Sequence, residues 1–211
     1  MPIVHGAPQS PFVRKVLVAL EEKGIPYELE PLVPFPKTPA LLARSPLGKI
    51  PILEDGDFVT RDSSVICAYL ERKHPKGALY PADLRDFARA LWYEEYADTR
   101  LFEVLIVPFV ERYVRPNVFG EAGDEERVRR TLAEDLPQVL GYLEGELGDG
   151  DGIVGGRFSI ADVALGAQLA TFCLSGETID AARWPRVARY VERILARPSF
   201  ARAIAPAMEA A

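Results

Sequence analysis

Apolar residues recur along the chain at two spacings, and the change from one to the other divides it. Pro2 to Gly6 is a short apolar run that reads as a strand. Val13, Val16, Leu17 and Leu20 then follow the i, i+3, i+4, i+7 pattern of one helix face. Gly24 sits where a C′ glycine ends such a helix. Tyr27 to Pro31 alternates as a second strand does, so strand, helix and strand predict a parallel pair with a right-handed crossover. A proline-rich connection, Pro34 to Ser45, contains a short helical piece over Pro39 to Arg44. Ile50 to Leu53 and Phe58 to Thr60 flank Glu54-Asp55-Gly56-Asp57, and Asp-Gly between apolar runs signals a hairpin. Val65, Ile66, Tyr69 and Leu70 predict a helix to about Lys73.

His74 to Pro81 carries two prolines and a glycine and reads as a linker. Beyond it every periodic segment is helical. Leu84, Phe87, Ala88 and Leu91 open a long helix that Pro108 is expected to kink or stop. Val128 to Leu147 is a second, bent at Pro137. Ala161 to Phe172 is apolar on nearly every face and therefore a buried helix. Val187, Tyr190, Val191, Ile194 and Leu195 mark a further one. Ser159-x-x-Asp162 is a capping box, with Phe158 placed as a hydrophobic staple.

Charge and composition narrow the partners. The 211 residues carry 25 basic and 31 acidic side chains, a net charge of -6, which gives no support for phosphate-driven nucleic-acid binding. No apolar run approaches the roughly 18 residues of a spanning helix, and no basic n-region with an apolar h-region stands at the N-terminus. A cytoplasmic location is expected, with Cys67 and Cys173 as buried free thiols. His5 and His74 are too few and too separate for a His-built metal site. Gly150-x-Gly152-x-x-Gly155 matches a dinucleotide fingerprint, but it follows a helix rather than a strand and reads as a loop.

Four blocks, in order, carry a family resemblance: "SPFVRKVLVALEEKGIPYE", "SPLGKIPIL", "DGDFVTRDSSVICAYLERKHP" and "GGRFSIADVAL". Together they resemble the cytosolic glutathione transferases, nearest to the serine-type tau, zeta, theta and phi-like classes, over essentially the whole chain. The resemblance implies an α/β thioredoxin-like N-terminal domain (residues 1–76), a linker (77–84) and an all-α C-terminal helical domain (85–211). It implies glutathione as co-substrate, with no permanently bound cofactor and no metal, and a homodimer. The implied reaction is conjugation of the thiol to a small, largely apolar electrophile. A glutathione-dependent isomerase, dehalogenase or peroxidase, or a non-catalytic glutathione, ligand or protein-binding module, is the alternative on the same scaffold.

Carried over residue by residue, the catalytic serine falls on Ser10, fourteen positions before Gly24. Arg14 matches a position that is often Arg. Ile50 precedes the cis-proline position, Pro51. Asp62-Ser63 stands at the Glu-Ser pair of the third helix, with Asp62 one methylene shorter than the usual Glu. Lys37 and Lys49 match basic positions near the glycine end of bound glutathione, and Ser45 replaces a common Asn. Phe12, Phe35, Thr99, Glu103, Val107 and Phe172 are expected at an electrophile pocket between the domains, though apolar residues at helical spacing are more often core. For Ser10 itself two roles compete. It is either an N-cap with Pro11 at N1, or a hydroxyl that donates to a thiolate, aided by the positive end of the helix dipole.

Overall fold

The computed structural model describes residues 1–209, with side chains through residue 205. The chain divides into two units: Met1–Tyr80 with the C-terminal segment from Arg197, and Pro81–Ala196.

The first unit runs β1 (Ile3–His5), α1 (Pro11–Glu22), β2 (Glu28–Glu30), α2 (Pro39–Arg44), β3 (Ile52–Asp55), β4 (Phe58–Arg61) and α3 (Ser63–Lys73). Its sheet has the order β2-β1-β3-β4. β1 and β2 are parallel, as the crossover predicts, and β3 and β4 form the antiparallel hairpin. Val4 pairs with Leu53, and Leu53 with Thr60, so these three face one side, where all are buried. The other face is polar at its centre. There His5 lies between Glu30 (3.0 Å) and Glu54 (3.3 Å), and Glu54 also pairs with Arg44 of α2.

The final helix, α10 (Pro198–Glu209), was not legible as an element, and the domain limits drawn from sequence placed its residues in the helical domain. It packs instead along α1. The reason is local. Arg197 donates through two nitrogens to the Glu22 carboxylate (2.9 and 2.8 Å), Ser199 donates to the same carboxylate, Arg202 pairs with Glu21, and Phe200 and Ala203 are buried.

The second unit is helical. α4 (Leu84–Tyr96) continues through a π turn (Ala97–Leu101) into α5 (Phe102–Phe109), and then through a π segment (Val110–Phe119) to Gly120. Pro108 therefore neither stops nor replaces the helix. It lies in the last turn of α5, where the α-helix gives way to the wider π segment. α6 (Glu125–Arg130), a π turn (Thr131–Asp135) and α7 (Leu136–Glu146) follow without a break, with Pro137 just past the π turn. α8 (Ile160–Leu174) is buried from Ile160 to Phe172, and α4, α5 and α9 (Pro185–Leu195) pack on it. Asp162 anchors its start, accepting from the Ser159 N–H (2.9 Å) and hydroxyl (3.2 Å), the Ile153 N–H (2.9 Å) and the Tyr190 hydroxyl (2.9 Å). Gly152 is required beside it, because a Cβ there would lie 2.6 Å from an Asp162 carboxylate oxygen and 2.1 Å from the Arg157 carbonyl. The glycine cluster thus serves close backbone packing.

Candidate functional site

Strand register gathers the sequence-selected residues of the first unit at one edge of its sheet. His5 stands opposite both Glu30 and Ile52, and Ile52 stands opposite Arg61. The ends of β1, β2 and β4 and the beginning of β3 are therefore level. Just beyond that line lie three things. Gly6 leads from β1 to Ser10 and the N-terminus of α1. Ile50 and Pro51 lead into β3, joined by a cis peptide bond. Asp62 and Ser63 lead from β4 into α3. Two helix N-termini thus flank one extended segment, an arrangement that favours an anionic ligand with a peptide backbone. Gly6 makes the first turn possible, since a Cβ there would sit 2.4 Å from a Val13 methyl group.

Ser10 is the N-cap of α1 by position, in extended conformation with Pro11 at N1. Its backbone N–H donates to the Ala7 carbonyl (2.9 Å) and its carbonyl accepts from the Arg14 N–H (2.9 Å). Its hydroxyl makes no capping bond. The contrast with other caps is direct: Thr38, Asp62, Asp83 and Asp124 each accept from a backbone N–H of the helix they precede. Beneath the turn lies Arg14, fully buried, donating to the carbonyl of Pro8 (3.2 Å) and, more weakly, of Gln9 (3.4 Å). Burial pulls its guanidinium down to about 10, which leaves it charged at neutral pH. Arg14 thus holds the loop that presents Ser10.

Asp62 has φ 72° and ψ 130°, the one non-glycine residue with positive φ among the described residues. Its carboxylate caps α3, accepting from the N–H groups of Ser64 (3.0 Å) and Val65 (3.2 Å). Ser63 is buried behind it. The two lysines meet on the loop before β3. The Lys37 stem covers Gly48 so closely that a Cβ there would lie 2.8 Å from its Cδ, and its ammonium donates to the Leu47 carbonyl (3.2 Å). Lys49 is exposed on the same loop. Ser45 shapes it: its buried hydroxyl donates to the Lys49 carbonyl (2.8 Å) and accepts from the Lys49 N–H (3.1 Å).

Comparison with known proteins identifies the family. Residues 4–78 match the family model of the glutathione S-transferase N-terminal domain, and residues 92–193 that of the C-terminal domain. The chain belongs to the glutathione S-transferase family. A probable glutathione S-transferase of Oryza sativa subsp. japonica is 32% identical over 204 residues, 93% of this chain and 92% of the relative. Glutathione S-transferase 3 of Zea mays is 33% identical over 210 residues, 96% of this chain and 92% of the relative. A solved glutathione S-transferase of Methylobacterium radiotolerans, in complex with glutathione sulfonate, superposes with a TM-score of 0.76 at 32% identity, covering 96% of this chain and 94% of that one.

The residues expected at the electrophile pocket of this glutathione S-transferase separate by burial. Val107 and Phe172 are 4% and 0% exposed, buried in the helical unit. Thr99 is exposed, but its hydroxyl donates back to the Glu95 carbonyl (2.7 Å). Glu103 is exposed near Arg100 (3.7 Å). In the first unit Phe12 is half-buried and Phe35 is exposed. Cys67 is buried and in no disulfide; Cys173 is only half-buried, although its burial still pushes the thiol up. Nothing in the sequence marks Lys15 and Ser64, which the structure joins by a hydrogen bond of 2.8 Å; Lys15 reads as one more charge on α1, beside Arg14. No helix is long and apolar enough to cross a membrane among the described residues.

Proposed function

We propose that this glutathione S-transferase binds glutathione at the sheet edge of its first unit and conjugates its sulfur to a small, largely apolar electrophile. The observation that carries the reading is the Ser10 hydroxyl, which sits at a helix N-terminus without being used as its cap. In this reading Ser10 donates its O–H to the glutathione sulfur and remains neutral. The thiol proton leaves to solvent. The thiolate then forms a carbon–sulfur bond, and the displaced electron pair departs with the leaving group or, at an activated double bond, moves from the π bond onto the electron-withdrawing substituent, which solvent protonates. Lowering a thiol pKa by two units requires about 2.7 kcal/mol of preferential thiolate stabilisation. One O–H donor together with the N-terminal N–H groups of α1 is of the right size for that.

The other contacts follow from placement. The backbone of Ile50, lying beyond the paired part of β3, is assigned to the cysteinyl backbone of the tripeptide. Ser63 and the first turn of α3 are assigned to the γ-glutamyl carboxylate. The Asp62 carboxylate is occupied as a cap, so we assign it the placing of Ser63 and, through its second oxygen, the γ-glutamyl amine. Lys37 and Lys49 are assigned to the glycine carboxylate. Phe12, two residues from Ser10, is the residue we assign to electrophile selection. We further propose a cytoplasmic homodimer. Supporting the dimer, α4 exposes Leu84 (79%) and Trp92 (56%) with Phe87 and Leu91 between them, an apolar stripe at helical spacing.

The test is a spectrophotometric conjugation assay with glutathione and an activated aryl halide, paired with calorimetric titration of glutathione. A rate that saturates in glutathione, and that falls about 100-fold or more in Ser10→Ala, is expected. Absence of both binding and catalysed conjugation would contradict the reading.

A further inference from the structure

α1 buries two adjacent cations. Arg14 supports the Ser10 loop, as described. Lys15 points elsewhere: it is 1% exposed, and its ammonium donates to the Ser64 hydroxyl at 2.8 Å. Its helix neighbours Val13, Val16 and Leu17 are fully buried and apolar. A lysine is rarely buried without a specific partner, and a buried charge is weak support for stability when an apolar side chain of similar length would fill the same space. Stability alone therefore does not account for a lysine here.

The bond to Ser64 is the contact that bears on the site. Ser64 is the second residue of α3, directly after Ser63, and its own N–H donates to the Asp62 carboxylate (3.0 Å). Lys15, five residues after Ser10, thus reaches the first turn of the helix that Asp62 and Ser63 open. The chain Lys15, Ser64, Asp62 links one helix N-terminus at the candidate site to the other, and it includes the residue with the strained backbone.

We infer that Lys15 is a positioning residue, fixing the start of α3 against α1 and so setting the distance between the thiol-activating and γ-glutamyl-holding ends of the glutathione site. This rests on the reading of that site given above. Lys15 touches neither glutathione nor the electrophile in this role. It acts through Ser64, so its loss is felt in binding rather than in thiol activation.

The test compares Lys15→Met, Lys15→Arg and Ser64→Ala with the wild type by two measurements. The first is the split between KM for glutathione and kcat in the conjugation assay. The second is amide hydrogen exchange across residues 62–66 in the ligand-free protein, which needs no glutathione. Lys15→Met and Ser64→Ala are expected to raise KM roughly tenfold, the scale of one charge-assisted hydrogen bond. At saturating glutathione kcat is expected to stay within about threefold. Exchange at 62–66 should quicken in both variants, and Lys15→Arg should recover most of each effect. Unchanged KM in a folded Lys15→Met, or unchanged exchange at 62–66, overturns the inference. Should Lys15→Met fail to fold, Ser64→Ala, which removes the acceptor and keeps the cation, decides it alone. A wild type that never binds glutathione overturns the site reading, while the exchange result still decides whether the link exists.

Discussion

Asp62 carries the strain of the site. A β-carbon at φ 72° and ψ 130° is unfavourable for any residue but glycine, and such conformations persist where the surroundings enforce them. Here the cap on Ser64 and Val65 does so. Asp62→Ala keeps the strain and loses the cap, so it is expected to cost about 2 kcal/mol. Asp62→Gly loses the cap but relieves the backbone, and should cost less than half as much. Urea denaturation of the two variants checks this, and an equal loss would show that the cap alone matters. That Asp62 and Ser63 open a helix was implied by the family resemblance, while residue spacing marked the helix itself from Val65 and Ile66. The positive φ was not, because it follows from β4 having to turn sharply into α3. In the same way Ser10-Pro11 signalled a helix start, while the fate of the hydroxyl depended on backbone angles that no residue pattern encodes.

At the scale of elements, two polar anchors hold otherwise apolar packing. Glu22, at the end of α1, ties down α10. Partial burial works against its ionisation, but hydrogen bonds from Arg197 and Ser199 and the charges of Arg197 and Arg202 hold its carboxyl below the ordinary range. Arg197→Ala is expected to cost about 1–2 kcal/mol, since the pair is bidentate and only partly exposed. A fall of several degrees in the melting temperature would register it. In the helical unit the buried Glu111 accepts from the Asp124 N–H (2.9 Å) and pairs with Arg127 (2.7 Å) and Arg115 (3.3 Å). Burial pushes its carboxyl up, yet these partners hold it below the usual value. Such a depressed carboxyl contributes stability that is present above its unfolded pKa of about 4.3 and is lost as pH falls through the lower folded value. Denaturant midpoints from pH 7 down to pH 3 should therefore decline more steeply in the wild type than in Glu111→Gln. A parallel decline in both would remove Glu111 from the acid response. Ser159→Ala, at the mouth of α8, is expected to cost about 1 kcal/mol. The capping box there was legible because all its parts lie within four residues. The last helix was not, since what buries Phe200 and Ala203 is α1, nearly two hundred residues earlier. The continuation through Pro108 was hidden too, because a π turn has no strong signal in residue type.

For the whole molecule, the change from mixed α/β to helical patterning near residue 80 coincides with the change between the two units. The exposed stripe on α4 belongs to this scale as well. Trp92→Glu is expected to shift sedimentation from dimer to monomer while leaving the fold of each chain intact, and a wild type that sediments as a monomer would remove the dimer from the account. The measurement that bears most directly on function is the pH titration of glutathione bound to the protein, followed by thiolate absorbance in wild type and in Ser10→Ala. The expected result is a bound thiol that ionises about two pH units below free glutathione in the wild type and returns most of the way in the variant. A bound thiol that titrates alike in both proteins would contradict the claim that Ser10 activates it.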